Sequence, residues 1–215
     1  VSDFCADFDN MAQGLDILLM GIGEQGQVGF NESGSSEQSR TRTVLLSYNS
    51  RKRQARNFAG NVQMTPHTAI AMGLSTMMTA KKIYLIAWGE DKAQVVQNVV
   101  EGKMDPGCPA SFLQRHDNIS FYVDENAATG LTRNVAPWLV GPCEWTPKFI
   151  RKAVVWLCEQ VHKPILKLSQ ADYLSNGLGE LLEKFGPYDK ININVFNDFQ
   201  HTISGWPGGK PNSDD

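Results

Sequence analysis

Three short apolar runs, Leu15–Met20, Lys82–Trp88 and Ile119–Val123, constrain this chain more than any other feature. Each is too short for a helix and rich enough in aliphatic and aromatic residues for a buried strand. Between them lie stretches with helical spacing. Phe4, Phe8 and Met11 repeat along residues 2–13, and Ala93, Val96 and Val100 share one face of a helix over Glu90–Val100. Pro66 suits the first turn of a helix running to Ala80. A further run, Thr43–Tyr48, reads as a strand followed by a basic helix from Arg51 to Phe58, with Ser50 as its cap. Strands alternating with helices of this length predict an α/β domain with a doubly wound, mostly parallel sheet.

Texture changes near residue 131. Trp138, Pro142, Trp145 and Pro147 punctuate a connection, after which Lys148–Val161 and Leu174–Phe185 read as helices. The tryptophans are expected in the core of this helical extension. From Gly205 the chain is Gly, Pro and polar, which predicts a linker or tail. The expected organisation is 1–130 as the α/β part, 131–203 as the helical extension and 204–215 as the tail. An opening without initiator Met, on a helix that feeds a strand, suggests an incomplete fold cut from a longer protein.

Composition narrows the function classes. A net charge of −3 gives no global pull toward nucleic acid, and no apolar run is long enough to span a membrane. The four cysteines form no CxxC pair, which fits a reducing, cytoplasmic setting. His67, His116, His162 and His201 show no metal-ligand spacing, so no zinc site is expected, and His116 is assigned a structural part at the sheet edge.

Gly21-Ile-Gly-Glu-Gln-Gly26 satisfies G-x-G-x-x-G directly after a strand. The dinucleotide reading nevertheless fails twice. Gly29, Asn31 and Gly34 break the helix that should follow, and no acid stands between Thr41 and Ala55 to receive a ribose. The loop still lies at the carboxyl end of a strand, where open α/β sheets bind ligands.

Extended to Leu18-Leu-Met-Gly-Ile-Gly-Glu-Gln-Gly-Gln-Val-Gly-Phe-Asn-Glu32, the loop resembles the signature of the glucosamine-6-phosphate deaminase/isomerase family. Further segments occur in the family's order: Ser39-Arg-Thr-Arg42, Arg53-Gln-Ala-Arg-Asn-Phe58, Ala69-Ile-Ala-Met-Gly73, Gly89-Glu-Asp-Lys-Ala93, Val100-Glu-Gly102 and Ser111-Phe-Leu-Gln-Arg-His116. The resemblance covers about residues 12–130. Lactonases of 6-phosphogluconate share the fold, but Phe30-Asn-Glu32 and Leu113-Gln-Arg-His116 resemble the deaminases more.

The resemblance implies a Rossmann-like domain of the sugar-phosphate isomerase/deaminase type. It also implies conversion of glucosamine 6-phosphate to fructose 6-phosphate and ammonia with no cofactor. The family's ring-opening group is a histidine supported by an aspartate and a glutamate. On this sequence the glutamate is Glu32, while Gln27 stands for the histidine and Gln25 for the aspartate. An amide has no proton to transfer near neutral pH. The family's proton-transfer aspartate and its N-terminal phosphate loop match nothing here; Asp3, Asp7 and Asp9 lie on the opening helix. Basic side chains and backbone amides hold the phosphate in the family, and the matching positions are Arg56, Lys92, Gly23 and Gly26. Arg51, Lys52 and Arg53 read as a solvated basic face. Ser35, Ser36 and Arg42 match a second sugar-phosphate site found in some members, but Val44 replaces its lysine, so that site is not expected.

As partners, the resemblance implies a hexosamine phosphate, with room for a homo-oligomer and for fusion to a deacetylase-like domain; nucleic acid and membrane are not expected. Two competing readings stay open. One is a non-catalytic sugar-phosphate-binding or regulatory domain, and the other is a dinucleotide-binding domain.

Overall fold

The computed structural model describes residues 1–204, which fall into two compact units: Val1–Leu131, and a second that starts at Thr132. The expected tail from Gly205 onward lies outside the described residues.

In the first unit, helix α1 (Ser2–Ala12) leads into strand β1 (Leu18–Gly21). Strands β2 (Arg42–Leu45) and β3 (Thr68–Ala71) flank helix α2 (Tyr48–Gln54). Helix α3 (Leu74–Met77), strand β4 (Ile83–Ala87), helix α4 (Ala93–Val100) and strand β5 (Ile119–Val123) complete it. Parallel pairing gives the order β1-β4-β5, with Leu18 beside Ile83 and Ile83 beside Ile119. Thus the three apolar runs form one parallel sheet, and the chain has the expected α/β character.

The sheet buries one face. Ile83, Leu85 and Ala87 point inward and pack with Leu74, Val95, Val96, Val99 and Leu113. Strand alternation sends Leu19, Tyr84 and Tyr122 to the other face, where Leu19 and Tyr122 are exposed. His116 ties the lower ends of two strands: its Nδ1 accepts from the Asn118 N–H (3.1 Å), so Nε2–H donates to the Ala80 carbonyl (2.7 Å).

Several local expectations are corrected. Residues 66–80 do not form one helix. Thr68–Ala71 pairs antiparallel with Arg42–Leu45 in a separate two-stranded ribbon, so the second expected strand is not in the parallel sheet. Only Leu74–Met77 is helical, and Gly73 precedes it because the Ser39–Arg40 backbone passes where a Cβ would stand. Ser47, not Ser50, caps α2: its side chain accepts from the Ser50 N–H at 3.3 Å. The buried stripe of α4 is Val95, Val96 and Val99 rather than Ala93, Val96 and Val100.

The second unit is helical: α5 (Thr132–Val135), α6 (Pro147–Val161), α7 (Gln170–Ser175), α8 (Gly179–Phe185) and α9 (Tyr188–Ser204). Ala153, Val154 and Leu157 of α6 meet Leu178, Leu181, Ile191 and Val195, with Trp138 and Trp145 in the same core. Residues 174–185 are two helices rather than one, broken at Gly177 with φ +74. Buried Tyr173 donates to Asn192 Oδ1 (2.7 Å), and Asn192 Nδ2 donates to the Leu168 carbonyl (3.0 Å), so this polar pair is satisfied internally.

Candidate active site

Where β1 ends, the chain turns back on itself. The Gly26 N–H donates to the Gly23 carbonyl (2.9 Å) and the Gly23 N–H to the Gln27 carbonyl (2.8 Å). Gly26 has φ +79, and its carbonyl accepts from the Ala110 N–H (2.9 Å). A Cβ there would stand 2.2 Å from Cys108 Sγ. Burial pushes the Cys108 thiol up, so it is a packing group rather than a nucleophile at neutral pH.

The two glutamines bond to each other. Gln27 Oε1 accepts from the Gln25 N–H (3.0 Å), and Gln27 Nε2 donates to Gln25 Oε1 (3.3 Å). Glu32 does not join them. Both its oxygens accept from the Ser47 N–H at 3.1 Å, where the carboxylate serves the N-terminus of α2. Between them Asn31 is fully buried, with Nδ2 on the carbonyls of Val28 (3.0 Å) and Met72 (2.7 Å) and Oδ1 on Arg42 Nη1 (3.0 Å). Arg42 also donates to Ser35 Oγ (3.1 Å).

The basic residues separate by role. Arg51 is buried, with its guanidinium on the carbonyls of Thr65 and Val62, so it is a structural pin rather than part of a solvated face. Lys52 and Arg53 are exposed as expected, but Arg53 also reaches the loop: Nη2 lies 2.5 Å from Glu24 Oε1, and Nη1 would lie 3.2 Å from a Cβ on Gly23. Lys92 reaches the same carboxylate from the turn preceding α4, at 3.7 Å, and also pairs with Asp91 at 2.8 Å. Its ammonium lowers the Asp91 carboxyl below the usual value.

α2 closes at Gln54, and Arg56 sits exposed on the following 3-10 turn. Arg56 makes no hydrogen bond or ion pair with the loop among the described residues. Nor do the N–H groups of Gly23 and Gly26 face outward, since both are used inside the turn. Of the four expected binding positions, Lys92 is the one that forms an ion pair with the loop among the described residues. Arg53 and Glu24 are the residues that sequence reasoning passed over. Arg53 lies one helical turn before Arg56, and Glu24 is the one carboxylate within Gly21–Gly26, which was the available signal. Among the described residues no cluster of His, Cys, Asp and Glu could hold a metal ion, and no helix is long and apolar enough to cross a membrane.

Chemically, this arrangement offers a convergent guanidinium and ammonium, suited to an anion with several oxygens. It offers no proton-transfer pair, because the groups at 25 and 27 are amides engaged with one another.

Known proteins place this geometry in context. A glucosamine-6-phosphate deaminase-like protein of Bacteroides thetaiotaomicron is 48% identical over all of this chain, which spans 33% of that protein. A glucosamine-6-phosphate deaminase of Rhodopirellula baltica is 43% identical over 57% of the chain and 48% of its own length. The chain therefore spans no more than about half the length of these relatives. The solved structure of a monomeric glucosamine-6-phosphate deaminase superposes with a TM-score of 0.57 at 34% identity, covering 60% of this chain and 54% of that one. The family model for glucosamine-6-phosphate isomerases and 6-phosphogluconolactonases matches residues 2–121, the stretch that holds the glycine-rich turn and both cations facing it. By its sequence and by the sheet that carries this turn, the chain belongs to the glucosamine-6-phosphate isomerase/6-phosphogluconolactonase family.

Proposed function

We propose that this chain is the sugar-phosphate-gripping part of a glucosamine-6-phosphate deaminase-like protein of amino-sugar metabolism, working in the reducing cytoplasm. The observation that carries this reading is the convergence of Arg53 and Lys92, from separate elements, on one carboxylate at the glycine-rich turn. A phosphate group brought to that point would meet a planar fork and a point charge. Arg56, exposed one turn further on, is free to swing toward a bound sugar phosphate as the family resemblance implies. The four free cysteines fit the proposed compartment.

Calorimetric titration with glucosamine 6-phosphate tests the reading. Binding is expected to the unmodified chain, with about a tenfold loss for Lys92→Met, the cost of one charge-assisted contact to phosphate. Glucosamine 6-phosphate, and not NAD, should raise the unfolding temperature. Protection by NAD alone, or identical affinity in Lys92→Met, would remove the basis of the proposal.

The Gln25–Gln27 bond favours a second reading, a sugar-phosphate-binding domain without catalysis. General acid–base chemistry is typically worth about 10²–10⁴ in rate, and neither amide supplies it. Ammonia release from the full-length protein carrying Gln25→Asp and Gln27→His separates the two. A gain with unchanged affinity marks a degenerate catalyst, and no gain marks a binding domain.

A further inference from the structure

The geometry points to Glu24 as a tethered competitor for the anion site: its carboxylate occupies the Arg53–Lys92 pair at rest, and a phosphorylated ligand must displace it. This inference rests on the sugar-phosphate reading above and adds to it a residue that sets affinity. Glu24 Oε1 is shared by both cations, 2.5 Å from Arg53 Nη2 and 3.7 Å from Lys92 Nζ. With Asp91 also on Lys92, two positive charges are balanced by two negative ones, so the resting cluster carries no net charge for an incoming anion to feel. Moving Glu24 aside leaves one positive charge in excess.

The movement asked of the protein is small. Glu24 projects from a turn whose backbone is already closed by the Gly26-to-Gly23 and Gly23-to-Gln27 bonds. Only its side chain need rotate, and half of that side chain is in solvent (52% exposed). A phosphate monoester carries about −1.5 to −2 near neutral pH, against −1 for the carboxylate, so the ligand competes favourably once present. The carboxylate is attached beside the site, however, and competes at high effective concentration. Apparent affinity falls by the fraction of molecules whose cations are free.

Exposed ion pairs are individually weak, and two of them acting together correspond to about a three- to tenfold reduction in affinity. Glu24→Gln keeps the size and removes the charge. Titration with glucosamine 6-phosphate should therefore show binding about three- to tenfold tighter than in the unmodified chain. Glu37→Gln is the control. It deletes the same charge from the Glu37–Arg115 pair elsewhere on the surface and should leave affinity unchanged.

Equal affinity in Glu24→Gln and the unmodified chain, weaker binding by Glu24→Gln, or equal tightening by Glu37→Gln overturns the inference while leaving the sugar-phosphate reading intact. Absence of binding in every form, with each folded by its cooperative melt, overturns both.

Discussion

Replacing Asp9 by asparagine is expected to destabilise the first unit by about 3 kcal/mol and to lower its melting temperature by roughly 10 °C. Asp9 is buried, with its side chain 2% exposed, yet every facing group donates to it. Oδ1 accepts from Thr76 Oγ1 (2.6 Å), both oxygens accept from the Thr41 N–H (3.2 Å), and Oδ2 accepts from Arg40 Nε (3.0 Å). An amide would turn an NH₂ group toward one set of donors and leave them unpaired. Burial raises the Asp9 carboxyl, but the hydrogen bonds from Thr41, Thr76 and Arg40 outweigh it and hold the pKa at about 2, against an ordinary 3.8.

The sign of the pH effect follows. The folded-state value lies below the unfolded one, so the contribution is full above about pH 4 and disappears as pH falls toward 2. It amounts to about 2 kcal/mol. Urea unfolding of the unmodified chain and Asp9→Asn between pH 7 and pH 2 should show a stability gap that narrows by about 2 kcal/mol below pH 4. A gap that persists unchanged to pH 2 would contradict an ionised, hydrogen-bonded Asp9.

Gly26→Ala should cost the first unit about 3 kcal/mol by two separable routes. At φ +79 an L side chain is strained by about 1–2 kcal/mol, and the new Cβ would stand 2.2 Å from Cys108 Sγ. Cys108→Ala in the same chain removes the sulfur and not the backbone strain. It should recover about half of the loss, seen as a coupling of about 1–2 kcal/mol in a double-mutant cycle. No coupling would mean that the turn moves away from Cys108 at little cost. A Gly26→Ala chain as stable as the unmodified one would mean that the turn is not closed as described.

The strands at residues 18–21, 83–87 and 119–123 were legible because a parallel strand on a buried face needs a short apolar run, and three such runs exist. Thr68–Ala71 was not legible: Pro66 and the apolar residues to Ala80 fit a helix equally well, and the strand exists because Arg42–Leu45 lies beside it. Likewise Asp9 carried no motif. Its environment comes from Thr41 and Thr76, 32 and 67 residues away in the chain.

Taken alone, the order of residues determined the glycine-rich turn after the first strand, the amide side chains of Gln25 and Gln27 within it, and the local excess of cations over residues 40–56. These are matters of composition and short-range spacing, which the chain carries wherever it is folded. Tertiary structure decided that Arg53 and Lys92, from separate elements, converge on Glu24 at the turn. It also decided that Glu32 serves a helix end and that Glu24 meets Lys92, 68 positions later. Such pairings depend on where helices stop and on which distant backbone passes alongside, and packing settles both.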